Sequence, residues 1–488
     1  MSNKTTTAKF TIGAKTLLTE LNLQKLIVSK KSTIPVLTAI KMELVGPELT
    51  ITGTDLETTF ISSLTANKTE SDGAFCVDLH SLVNAIGKTT GDLHFEVIET
   101  NHGKNEKTDS DRITLELILK TSSSNSVLEC VHTEHFPMIE APEKLTTFAK
   151  IQENIYKDLI AKTTFAVTRK ESRFTLAVFA LEPGKKGIRA ITTNGHCLAM
   201  AESFDFEQVT TENQKIHGSD YPTSKPNYLF RIDAAKLLQK AIVDRAEFSA
   251  NDEYICVSTK WNERRIYARI PSGKFPNYEM VLPKRDKAFT LQLHPAEVLS
   301  VTKDALKLAN ERNHLIAFQP YYNNFVIKSG DSEKAFTGKA TCDFPQSSAP
   351  AVLINGVYFA HALEAAQNQI LQIAYTDGKS QFGLKGASDF TKFEFVIMPL
   401  RNGESNTDSN YQILSDDEKA ELKLTPFYKD APKKAKVSAK SDQSKTIAEI
   451  ESLLSEMQSL TAVDGMPEMF TEIANQICEN IGKKLKSL

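Results

Sequence analysis

FPMIEAP (residues 136–142), FPNYEMVLP (275–283) and VIMPLR (396–401) read as three versions of one closing segment, each short, largely apolar and broken by proline. Their spacing is that of a typical domain of roughly 100–150 residues. An internal repeat of this length constrains a fold more than any single motif does. Working back from each closing segment, one plan recurs: an amphipathic helix, strands, a second amphipathic helix, strands. The second helices are read from apolar residues at i, i+3, i+4 and i+7. They are Leu79, Leu82, Val83 and Ile86; then Ala234, Leu237, Leu238 and Ala241; then Phe359, Ala362, Leu363 and Ala366. The earlier helices are expected over 14–26, 153–166 and 295–309, making three pairs. Stretches such as KMELVGPELTITGTDLETTF and KGIRAITTNGHCLAMAE alternate over short runs and break at Gly, Pro and Asn-Gly, as strands and hairpins do. Two helices among many strands predict an α+β fold rather than a parallel α/β sheet.

The chain has 488 residues, enough for three or four domains. No run of about 18 apolar residues is present to span a membrane. The start, MSNKTTTAKFTIGAK, has no apolar core of a signal peptide. The six cysteines are scattered without framework spacing, which predicts free thiols and a cytoplasmic location. Net charge is −3. A nucleic-acid binder of this charge must gather its cations on one surface. The helices do carry lysines beside their apolar stripes. Lys15, Lys25, Lys30 and Lys31 lie on and after the first helix, and Lys88 follows the second. Lys157 and Lys162, with Arg169 and Lys170 just beyond, mark the third. Lys236 and Lys240 mark the fourth, and Lys303 and Lys307 the fifth. On any one helix this is an ordinary solvated face; its recurrence favours a phosphate-facing surface. The sixth helix is not basic.

Four segments carry a family resemblance. They are IPVLTAIKMELVGPELTITGTDLET (34–58), SRFTLAVFALEPGKKGIRAITTNGHCLAM (172–200), SGKFPNYEMVLPK (272–284) and FVIMPLR (395–401). In this order and spacing they resemble the bacterial DNA polymerase III beta subunit, the beta sliding clamp, over residues 8–402. The resemblance implies three similar clamp domains, at 1–145, 146–284 and 285–402, and a head-to-tail homodimer closed into a ring. Helices would line the hole and face duplex DNA without reading its sequence. The function implied is processivity: a non-catalytic ring that holds the replicative polymerase on DNA. The alternative is a clamp paralogue acting as an interaction scaffold or regulator.

The resemblance also implies a peptide-binding pocket between the second and third domains. It would use Leu176, Thr193, Gly195, His196 and Leu198, then Pro276 and Val281, then Val396, Met398, Pro399 and Leu400. Its ligands would be QLxLF-type peptides from the polymerase catalytic subunit, the clamp loader and repair polymerases. An apolar groove with a few polar anchors suits such a ligand. Three positions depart from the family pattern: Cys197 and Met280 replace arginines, and Gln381 a rim serine.

Enzyme readings are weaker. Cys130, His132 and His135 have a C-x-H-x-x-H spacing, but positions i and i+5 of a strand face opposite ways, so no metal is expected. His196 and Cys197 are neighbours on opposite strand faces and make a poor dyad. No phosphate-binding G-x-x-x-x-G-K-[ST] loop occurs, and no cofactor is expected. Beyond the clamp-like region, 403–445 reads as a flexible polar linker with a basic cluster at Lys433, Lys434 and Lys436. Residues 446–488 read as a helical extension. ELKLTPF (421–427) loosely resembles a clamp-binding peptide that occupies the chain's own pocket.

Overall fold

The computed structural model describes residues 3–104, 111–167, 176–184, 187–204, 228–259, 263–273, 275–284, 288–330, 334–344, 346, 348–367, 369–400 and 413–423. One order of elements recurs three times. The first repeat runs β1 (Asn3–Gly13), α1 (Ala14–Gln24), β2 (Ala39–Val45), β3 (Glu48–Thr54), β4 (Thr58–Thr65), a short extra β5 (Lys68–Ser71), β6 (Gly73–Asp78), α2 (Leu79–Ile86), β7 (Asp92–Lys104), β8 (Asp111–Lys120) and β9 (Asn125–Val131). The second runs β10 (Thr146–Gln152), α3 (Glu153–Thr163), β11 (Val178–Pro183), β12 (Ile188–Thr193), β13 (Cys197–Ser203), β14 (Tyr228–Arg231), α4 (Ile232–Ala241), β15 (Arg245–Ala250), β16 (Tyr254–Thr259) and β17 (Arg264–Arg269). The third runs β18 (Phe289–Leu293), α5 (Pro295–Leu306), β19 (Leu315–Tyr321), β20 (Asn324–Gly330), β21 (Ala335–Thr341), β22 (Val352–Asn355), α6 (Gly356–Ala366), β23 (Leu371–Tyr375), β24 (Phe382–Ala387) and β25 (Lys392–Ile397).

Local chemistry sets the helix boundaries. Asp78 caps α2 by accepting from the Ser81 amide at 2.7 Å, and Gly87 leaves it with φ +58°. Asn355 caps α6 by accepting from Val357 and Tyr358 amides, and Pro295 opens α5. Their apolar stripes, such as Leu17 and Leu21 or Leu237 and Leu238, are fully buried. Most strands alternate in burial, as a sheet covered on one face should. β11 and β13 are buried at nearly every residue, so both of their faces are covered.

Every strand pairing is antiparallel, and one rule joins the repeats. In each repeat the strands divide into two four-stranded sets, with β5 added to the second set of the first repeat; the first set ends in β4, β13 or β21 and the second in β9, β17 or β25. β4 of the first repeat pairs with β17 of the second. β13 of the second pairs with β25 of the third. The helices pack in a matching row, α2–α1–α4–α3–α6–α5, with neighbours in contact throughout. Two buried cations pin this row. Arg264 of β17 donates through Nη2 and Nε to Glu20 of α1, at 2.6 and 3.1 Å, and through Nη1 to the Ala241 carbonyl. Lys162 of α3 donates to the Ala365 carbonyl of α6 at 2.8 Å.

One expectation is corrected. The stretch 403–445 is not wholly a linker, because α7 (Asp416–Lys423) packs on the third repeat. Leu414 and Leu422 are buried against Tyr321 and Val326. Lys328 bonds the Ile413 carbonyl and Glu418, and Lys339 pairs with Glu421 at 2.7 Å. Glu421 and Leu422 are therefore engaged on β20 and β21, away from the pocket described below. The basic cluster and the residues 446–488 lie outside the described residues.

Candidate functional site

A cavity of about 140 Å³ opens where β13 meets β25. Leu198 and Val396 line it and belong to a buried cluster that includes Val178, Ala180, Ile191 and Met200 behind them. One rim is the β12–β13 turn. There the Asn194 side chain accepts from His196 and Cys197 amides, and Thr193 Oγ1 accepts from the Gly195 amide. Gly195 has φ +84°, a conformation glycine adopts without strain. The turn leaves Gly195 and His196 exposed at the mouth. The main chain of Met398 donates to the His196 carbonyl at 2.9 Å, extending the pairing into the rim. The opposite wall is the closing segment, whose Pro283 packs so tightly on β24 that a Cβ at Gly383 would lie 2.4 Å from its ring.

Nine of the expected pocket residues line this cavity: Leu176, Thr193, Gly195, His196, Leu198, Pro276, Val281, Val396 and Met398. Pro399 and Leu400 do not. The Leu400 amide instead bonds the Leu353 carbonyl of β22. Cys197, Asn277 and Tyr278 line it as well. Burial pushes the Cys197 thiol up to about 12, so it serves as apolar wall and not as a nucleophile. Met280 is 77% exposed, and neither it nor Gln381 lines the cavity. In the zinc-like spacing, Cys130 is buried in the core while His135 is exposed. Among the described residues no three His, Cys, Asp or Glu side chains gather as a metal site.

The lysines divide by environment. Lys15, Lys30, Lys31, Lys88 and Lys240 are exposed and carry no ion pair among the described residues. Lys157, Lys303 and Lys307 are exposed but paired, with Glu153, Glu364 and Asp304. Lys25 and Lys236 are half-buried. Lys162 is a correction: it is fully buried, 5.0 Å above the Phe393 ring, and cannot meet a phosphate. Its amphipathic helix position marked it as a surface cation, and the packing of α6 on α3 covers it. Arg169 and Lys170 lie outside the described residues.

Residues 8–139 match the family model for the N-terminal domain of the DNA polymerase III beta subunit. Over these residues the chain is similar to the DNA polymerase III beta subunits. A beta sliding clamp of Pseudomonas putida is 24% identical over 399 residues, covering 80% of this chain and 99% of the relative. The Pseudomonas aeruginosa clamp is 26% identical over 392 residues, with the same coverage. The crystal structure of the Pseudomonas aeruginosa beta subunit superposes with a TM-score of 0.67 at 20% identity, over 81% of this chain and all of that one. These clamps are thus matched along almost their whole length.

Proposed function

We propose that the chain is a non-catalytic DNA sliding clamp that closes as a head-to-tail dimer. The observation that carries this reading is the seam rule. First-set edges β4 and β13 each receive the second-set edge of the next repeat, β17 and β25. Applied once more, the rule leaves β21 and β9 to be joined. Among the described residues one edge of β21 is unpaired. β9 meets β6 through two residue pairs only. On β9, Val127 is 60% and Val131 39% exposed, apolar residues on an open strand edge of the kind that recruits another strand. A second copy supplies β9 to β21 and places its α2 beside α5, so both helix rows continue into one. Two copies related this way share two identical seams and close a cyclic dimer.

Duplex DNA then passes along the helix rows. Lys15, Lys30, Lys31, Lys88 and Lys240 meet phosphates, with Lys25, Lys157, Lys236, Lys303 and Lys307 adding weaker charge. Contacts of this kind are sequence-blind and fall steeply with salt. Linkage around the duplex, rather than affinity, keeps the ring in place. The cavity at β13 and β25 takes a short apolar peptide of the QLxLF type, through which the polymerase, the clamp loader and repair polymerases are recruited. A titration of a labelled QLxLF peptide tests the pocket: Met398→Ala should weaken binding, and equal binding by both chains would remove the assignment. Primer extension with a cognate polymerase and loader tests the role, longer products per binding event being expected.

A further inference from the structure

The wall of the cavity stands on a buried charged row. Glu182 of β11, Arg189 of β12 and Glu202 of β13 are cross-strand neighbours. Glu182 is only 1% exposed. A carboxylate so deeply placed is costly unless it is paired and hydrogen-bonded. Its partners come from the strand beside it and from the closing segment above. The Tyr278 hydroxyl donates to Glu182 Oε2 at 2.5 Å, and Arg189 Nη1 donates to that hydroxyl at 2.8 Å. Arg189 Nη2 also donates to Glu202 at 3.2 Å. The Tyr278 ring meanwhile lines the cavity and packs against Phe275 with centroids 6.4 Å apart. One side chain thus joins the apolar wall to the charged row. The first repeat supplies an internal contrast. Its closing segment has Ile139 where Tyr278 stands, packed on Ala39, Cys76 and Phe136, with no hydroxyl to anchor.

We infer that Glu182 and Arg189 are positioning residues for peptide binding: through the Tyr278 hydroxyl they hold Pro276–Val281 at the separation from β13 and β25 that the peptide's apolar side chains require. This rests on the peptide-pocket reading above. Neither residue touches the peptide. The row fixes one wall, and fixing it in advance removes an ordering cost from binding.

The test uses the full chain and a fluorescein-labelled Gln-Leu-x-Leu-Phe peptide. Tyr278→Phe keeps the ring and removes the anchor. It should speed peptide dissociation about tenfold, the loss of one charge-assisted hydrogen bond, while the molecular mass of the assembly stays unchanged. Glu182→Ala should behave alike, and Glu182→Gln, which still accepts from the hydroxyl, should restore near-normal dissociation. Hydrogen exchange gives a second readout. The Val281 and Leu282 amides, bonded to the Tyr278 and Glu279 carbonyls, should exchange faster in Tyr278→Phe while β12 and β13 do not change. Wild-type binding matched by Tyr278→Phe, or unchanged exchange in the wall, overturns the positioning role alone. A wild-type chain that ignores the peptide overturns the pocket reading and the positioning role with it.

Discussion

At the residue scale, the buried cations show how position outranks residue type. Arg264 is held by a bidentate carboxylate and a carbonyl, with Glu20 only 2% exposed. Arg264→Ala leaves that carboxylate buried and unpaired, a loss on the order of 3–5 kcal/mol; calorimetry should show a markedly lower Tm. Lys162 differs because its own burial opposes its charge. Burial lowers its pKa from 10.5, and Asp158 only partly restores it. A lysine depressed in the fold costs stability below its folded pKa, and that cost fades as pH rises through the folded pKa toward the unfolded value. Lys162→Met should therefore gain most, relative to wild type, at neutral pH. The difference should narrow in denaturant titrations carried toward alkaline pH; a constant difference would contradict it. The same variant should leave DNA affinity untouched. Lys15→Ala or Lys240→Ala should each weaken DNA binding uniformly across sequences and reduce the salt slope by about one.

At the scale of elements, α7 is the test of what composition hides. It should be held mainly by Leu414 and Leu422, with Lys328–Glu418 adding less than about 1 kcal/mol. Leu422→Asp should release the helix and open 413–423 to protease, whereas Lys328→Glu should loosen it slightly and Lys328→Glu with Glu418→Lys should restore it. Proteolysis at wild-type rates in Leu422→Asp would show that the apolar contact is not what holds it. The six helices were legible because their apolar stripes keep a 3.6-residue period. α7 was not, because ILSDDEKAELK buries only Leu414 and Leu422, with Ile413 partly buried beside them. A signal was nonetheless there: Ser415 and Glu418 form a reciprocal capping box, each bonding the other's amide. The pocket shows the same division. His196, Leu198 and Val396 are reached through the family resemblance of their segments, not from local pattern alone. Tyr278 carries no signal beyond its place in the closing segment, and nothing local in Pro399 or Leu400 shows that the Leu400 amide bonds the distant Leu353 carbonyl. The burial of Lys162 likewise depends on α6, more than 190 residues away in the chain.

At the scale of the whole molecule, the account rests on β9 and β21 being two halves of a third seam. Val127→Asp places a charge on that edge without touching the core, and should shift the assembly toward single chains while the fold is kept, as read by circular dichroism. Leaving assembly unchanged would mean that β9 is not the edge used. The most direct test is the mass of the native protein by light scattering across a micromolar dilution series. The account predicts a closed assembly of two 54.2 kDa chains, with no growth beyond two as concentration rises. A single-chain mass at every concentration, or a mass that climbs past two as an open filament would, contradicts it.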